Sequence, residues 1–125
     1  MTQEDKELLL KDLCARLPYG VKYMDILNPD EHPSTIQSID NCGLVMANDG
    51  FSHEIENIKP YLFPLSSMND EQTEELIKLI NTGQNDNNEF MRSRCRIEFY
   101  HINHFDYRGL IPMGLANDAT GLNIY

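Results

Sequence analysis

The spacing with most chemical potential in the chain is His101-x-x-His104-x-Asp106. Imidazoles three residues apart on a helix share a face, and a carboxylate just beyond them completes an N,N,O set suited to zinc, iron or manganese. Such a set would serve a metal-dependent hydrolase or nuclease built on His101, His104 and Asp106. The same residues also fit packing, because Ile97, Tyr100, His101, His104 and Phe105 fall at i, i+3, i+4, i+7 and i+8, the repeat of one helix face. No zincin-type glutamate stands between the two histidines. Packing is the preferred reading, and no metal or other cofactor is expected.

Asp106 and Arg108 form a second candidate, since a planar guanidinium recognises carboxylate or phosphate through two parallel hydrogen bonds. Set against this binding role is a structural one, in which Asp106 caps a turn and Arg108 pairs with a carboxylate of the acidic surface. The thiols offer less. Cys14 falls on the expected buried stripe of a helix, Cys42 has no histidine placed beside it, and Cys95 is activated by Arg94 and Arg96 if it is exposed. Ser66 and Ser67 lack a Gly-x-Ser-x-Gly elbow, and no glycine-rich phosphate loop is present. Asn85 to Glu89 supply oxygens, but Phe90 stands where a calcium loop needs glycine.

The remaining candidate is charge. The 125 residues carry 20 acidic and 10 basic side chains, a net charge of −10, which argues against a nucleic-acid surface and against an anionic membrane. Residues 1–89 hold 17 acids and 6 bases, net −11, while residues 90–125 hold 3 acids and 4 bases, net +1. The densest acidic group, Glu71, Glu74 and Glu75 beside Asp70, is therefore a candidate binding surface for a basic partner.

Positioning these residues requires one α+β domain spanning 1–125. Thr2 and Asp5 make a capping box for a first helix whose stripe is Leu9, Leu10, Leu13, Cys14 and Leu17, with Lys6, Lys11, Asp12 and Arg16 off that stripe. Pro18, Tyr19 and Gly20 end it. Short β-forming segments follow at 21–27, 34–39, 43–48 and 51–58, with Asp49-Gly50 as a two-residue hairpin turn. Tyr61 to Leu65, bracketed by Pro60 and broken by Pro64, reads as an edge strand or an extended connection. Asn69 and Gln72 cap a second helix with Thr73, Leu76, Ile77 and Ile80 inward and Gly83 as its C-cap, and the polar run from Gln84 to Glu89 follows as a loop. A third helix is expected over 94–103, with a strand as the alternative at its start because Arg92, Arg94 and Arg96 alternate with smaller residues. The rest reads as turns and a short helical piece. The expected fold is an antiparallel sheet of three to five strands, with the N-terminal helix and two or three later helices packed on one face.

Two stretches, IKPYLFPLSSMNDEQTEEL from Ile58 to Leu76 and HINHFDYRGLIPMGLA from His101 to Ala116, resemble a group of short uncharacterised proteins of gut bacteria and their phages or other mobile elements. The match is most specific from Phe105 to Leu110. It departs at Phe63, where the group has a base, and at Pro112 and Met113, where it has a charged pair. The resemblance implies context, an accessory gene of a mobile element acting in the host cytoplasm, and carries no activity with it. Three widely spaced cysteines without a Cys-x-x-Cys pair, an N-terminus without signal-peptide features, and no apolar run of membrane-spanning length suit that setting. The expected function is non-enzymatic interaction with a basic host protein through the acidic surface, with the metal-dependent hydrolase or nuclease as alternative.

Overall fold

The computed structural model describes residues 1–82 and 89–125. Helix α1 (Gln3–Arg16) begins as its sequence demands: the Thr2 hydroxyl accepts the Asp5 amide at 3.1 Å and the Asp5 carboxylate accepts the Thr2 amide at 3.3 Å. Its buried residues, however, are Leu9, Asp12, Leu13 and Arg16. The helix is turned so that Cys14 is exposed and the Asp12 and Arg16 pair, expected at the surface, faces the interior. A 3-10 turn (Leu17–Tyr19) closes it on Gly20, whose φ of +71° is a left-handed conformation that favours glycine.

The strands are β1 (Lys22–Asp25), β2 (Ser34–Ile39), β3 (Leu44–Ala47), β4 (Ser52–Glu54), β5 (Ile58–Pro64), β6 (Phe105–Asp106) and β7 (Asn117–Asp118). They form a seven-stranded sheet in the order β4-β3-β2-β1-β5-β6, with β7 also paired to β5. The β1–β5 pairings are antiparallel, but β6 and β7 run parallel to β5. The α+β class stands, while the expected antiparallel sheet of three to five strands is too small. The β3–β4 hairpin closes through the Ala47 amide to the Phe51 carbonyl at 2.9 Å, leaving Asn48, Asp49 and Gly50 in the loop instead of two residues. The expected 51–58 strand is shorter, because a 3-10 turn (Ile55–Asn57) intervenes before β5.

β5 is neither an edge nor a connection. Proline is tolerated inside it because each proline meets a strand on one side only: Pro60 is registered with Tyr23 of β1, and Pro64 with Asp106 of β6. A missing amide there costs no ladder bond on an unpaired side. The expected terminal turns form at 110–114 and 120–121, but the short helical piece does not; the two-residue strands β6 and β7, unexpected, are too short to leave a hydropathy period.

Helix α2 (Asp70–Thr82) starts on the expected capping box, the Gln72 amide to Asn69 at 2.8 Å and the Asn69 amide to the Gln72 side chain at 3.0 Å. Leu76 is buried and Ile80 half-buried, but Ile77, expected inside, is 51% exposed. Gly83 and the run from Gln84 to Asn88, including the weighed calcium loop, lie outside the described residues; Glu89 belongs to the next helix. Helix α3 (Glu89–Ile102) starts five residues earlier than expected and includes Arg92, Arg94 and Arg96, so the strand alternative falls. Its buried anchor is Phe99, whereas Ile97 is 40% exposed.

The helices divide between two apolar clusters. Leu9 and Leu13 of α1 pack with Val21 just before β1, with Tyr23, Ile36, Val45, Ile58 and Leu62 of the sheet, and with Leu110 and Leu115 of the tail. Leu76 of α2 and Phe99 of α3 pack with Phe105 of β6, and Phe63 of β5 packs against them. Each fully buried aliphatic or aromatic side chain contributes about 1.5–3 kcal/mol. Among the described residues, no helix is long and apolar enough to cross a membrane.

Candidate functional site

Three distant pieces of chain meet under the end of α1: Asp12 and Arg16 from α1, His101 from the last turn of α3, and Tyr107 with Arg108 just after β6. Asp12 and Arg16 are fully buried. Asp12 binds two guanidiniums through different oxygens, Arg16 Nε to Oδ2 at 2.8 Å and Arg108 Nε to Oδ1 at 3.0 Å. Arg16 also donates through Nη2 to the Phe105 carbonyl at 2.6 Å, which ties α1 to β6, while its Nη1 is buried without a hydrogen-bond partner among the described residues.

From Arg108 the chain of hydrogen bonds continues outward. Arg108 Nη2 donates to the Tyr107 hydroxyl at 3.0 Å, and that hydroxyl lies 2.7 Å from His101 Nε2. Both guanidiniums also sit over the Tyr107 ring, Arg108 at 4.9 Å and Arg16 at 5.5 Å from its centroid. Burial and then the Arg16 charge pull the His101 imidazole below its ordinary range, with Asp12 opposing, so His101 is neutral at neutral pH. Burial pushes the Tyr107 phenol up against the opposing Arg108 charge, so it keeps its proton.

His101 is one of the residues lining a groove of about 460 Å³ between the end of α1 and α3, with Tyr19, Ser93, Arg94, Ile97 and Glu98. The Tyr19 ring is stacked near His101, with centroids 6.4 Å apart and planes at 25°. Within the network Asp12 and Arg16 are fully buried, Tyr107 and Arg108 are half-buried, and His101, largely buried itself, carries it to the wall of the groove.

The structure separates the residues of the first candidate. Helix α3 ends at Ile102, and His104 lies beyond it with φ of +61°, so the two histidines do not share a helix face. The His104 ring stacks on Tyr125 at 3.7 Å between centroids; burial drives its pKa to about 4, and its Nδ1 has no hydrogen-bond partner among the described residues. Asp106 spends both oxygens on backbone amides, Leu110 and Ile111, each at 2.9 Å. His101, His104 and Asp106 are therefore committed to three different tasks, and no group of three or more His, Cys, Asp or Glu side chains suited to a metal occurs among the described residues.

Asp106 is a capping residue, and Arg108 does pair with a carboxylate, but with buried Asp12 and not with one on the acidic surface. Cys42 is exposed at a turn where Asp40 accepts its amide, and Cys95 is half-buried between α2 and α3. Glu71, Glu74 and Glu75 are exposed along α2 and enter none of the ion pairs among the described residues. Asp12, Arg16, Tyr107 and Tyr19 are the residues missed. A signal existed: Leu9, Asp12, Leu13 and Arg16 fall at i, i+3, i+4 and i+7, so an ion pair occupied a buried-stripe spacing all along.

Comparison of the chain with protein-family models, with curated proteins and with solved structures returned no match.

Proposed function

We propose that the chain is a non-enzymatic interaction module, an accessory protein of a mobile element that works in the host cytoplasm by meeting a basic host protein. The observation that supports this is the exposed side of α2. Glu71, Glu74 and Glu75 are in solvent together with Ile77 and Leu79, which are 51% and 43% exposed. Ile77 lies three residues after Glu74 and Leu79 four after Glu75, so these two acids each have an exposed aliphatic side chain as helix neighbour. Beside them, Leu79, Cys95, Phe99 and Ile102 line an apolar seam of about 240 Å³ between α2 and α3. Lys78 is exposed among these acids, but the acids outnumber it, and an apolar surface edged mainly by negative charge suits a basic amphipathic segment. The mobile-element setting rests on the resemblance of the Ile58–Leu76 and His101–Ala116 stretches.

The test uses a fluorescent amphipathic peptide of leucines and lysines, titrated at low and high salt. Capture should weaken steeply with salt, because exposed charges are screened over about 10 Å at 0.1 M. Glu71→Lys, Glu74→Lys and Glu75→Lys together should abolish it, while Glu4→Lys with Glu7→Lys, equally exposed on α1, should leave most of it. Equal losses from both sets would reduce the acidic face to a solubility feature.

A further inference from the structure

The groove beside α1 differs in kind from the α2 face, because its lining includes a polar group, His101, that is hydrogen-bonded to the interior network. Tyr107 fixes the tautomer. Its hydroxyl accepts a hydrogen bond from Arg108, which can only donate, so the single phenolic proton is free to point to His101 Nε2, 2.7 Å away. A neutral imidazole that accepts at Nε2 carries its proton at Nδ1. Among the described residues Nδ1 makes no hydrogen bond, and it is not among the polar atoms sealed from solvent without a partner. His101 therefore offers an N–H donor at the groove.

Charge adds a direction. Asp12 is shared by Arg16 and Arg108, so the network of Asp12, Arg16, Arg108, Tyr107 and His101 holds one positive charge in excess, in a chain of net charge −10. Arg94 and His101 stand seven residues apart, two turns along one face of α3, with Ile97 and Glu98 between them at i+3 and i+4. The groove thus combines a guanidinium and a neutral N–H donor with the Tyr19 ring and the apolar edges of Ile97 and Pro18. Its volume of about 460 Å³ lies in the range of roughly 300–1,000 Å³ usual for small-molecule sites.

We propose that this groove binds a small monocarboxylate with a flat apolar body, its carboxylate held by Arg94 and His101 Nδ1–H and its body laid against Tyr19 and Ile97. Glu98 on the same wall repels a second negative charge, so a carboxylate is selected over inorganic phosphate. The Asp12–Arg16–Arg108 network acts from beneath as a positioning device, fixing the His101 tautomer through Tyr107.

Benzoate is the probe, with benzamide as its neutral isostere and inorganic phosphate as the dianion. A long-range ¹H–¹⁵N spectrum of the imidazoles of the intact chain should show His101 protonated at Nδ1, and benzoate should shift that signal saturably. Benzamide should bind at least about tenfold more weakly, the scale of one charge-assisted hydrogen bond, and phosphate should not compete. Arg94→Gln, at an exposed position, should weaken benzoate about tenfold with the fold intact, and Glu98→Gln should strengthen it. Tyr107→Phe should release the tautomer to Nε2–H; should that variant unfold, the spectrum of the wild-type chain still decides the tautomer. Protonation of His101 at Nε2, benzamide binding equal to benzoate, or an Arg94→Gln variant with unchanged benzoate affinity would each overturn the proposal.

Discussion

Asp12 and Glu74 are both carboxylates on amphipathic helices, and they sit at opposite extremes of the molecule. Asp12 is fully buried, fixed between two guanidiniums that come from residue 16 and residue 108. Glu74 is exposed on α2, among like charges and beside an exposed isoleucine. The first pair of partners spans most of the chain, and its energy depends on how well the interior encloses it. The second surface is made from consecutive residues of one helix, and its contribution is long-range and screened by salt. A structural role and a solvent-facing position thus fall to different carboxylates, and the difference is burial.

The strongest way to break this comparison is Asp12→Ala. It leaves two guanidiniums without their shared counter-charge, and stability measured by urea denaturation should fall by about 3–5 kcal/mol. Replacing all three members with apolar residues of similar size, Asp12→Leu with Arg16→Met and Arg108→Met, should recover most of that loss, because the desolvation of the charges is removed along with their attraction. No recovery would show that the network is needed for the packing of α1 itself.

A second test uses pH. His104 is held neutral down to about pH 4, whereas the unfolded imidazole takes up a proton near its ordinary value of 6.5. Between those values the unfolded chain binds more protons than the native one, so stability falls as pH drops from 6.5 toward 4, and is unaffected by this group above that window. The loss should reach up to about 3 kcal/mol. His104→Asn, a residue that accepts the positive φ, should flatten that part of the denaturation-against-pH profile. An unchanged slope would assign the effect to the exposed carboxylates instead.

Within α2 the comparison can be sharpened by position. Leu76→Ala should cost about 2–4 kcal/mol, Ile80→Ala about half as much, and Ile77→Ala less than about 0.5 kcal/mol. Melting temperatures of the three variants check the order, and a large loss at Ile77 would mean that this side of the helix is covered. The smallest effect belongs to the acids: Glu71→Lys, Glu74→Lys and Glu75→Lys should each destabilise by no more than about 0.5 kcal/mol, chiefly through the helix dipole, while peptide capture changes.

Local grammar in the chain was legible because local physics writes it. The capping boxes at Thr2 with Asp5 and at Asn69 with Gln72 need only residues three apart, and both form as expected. The hairpin around Asp49 and Gly50 and the strand at 34–39 follow from turn chemistry and β-propensity, and Asp106 caps its turn as its type suggests. The exposure of Glu71, Glu74 and Glu75 was equally readable, since charged side chains in dense clusters stay in water.

Tertiary structure decided everything that depends on which distant segments share an interior. The rotation of α1 chose Asp12 and Arg16 over Cys14 for burial, because Arg108 and the Phe105 carbonyl, about ninety residues away in sequence, satisfy the pair. β5 became central despite its prolines because the tail returns to it as β6 and β7, two-residue strands with no periodicity of their own. His101 and His104, equivalent by spacing, were parted where α3 stops and the backbone turns left-handed at His104, so one imidazole lines a groove and the other stacks on Tyr125. A sequence determines which groups can be neighbours along a helix or strand, but a buried charge is tolerated only where the rest of the fold delivers its partners.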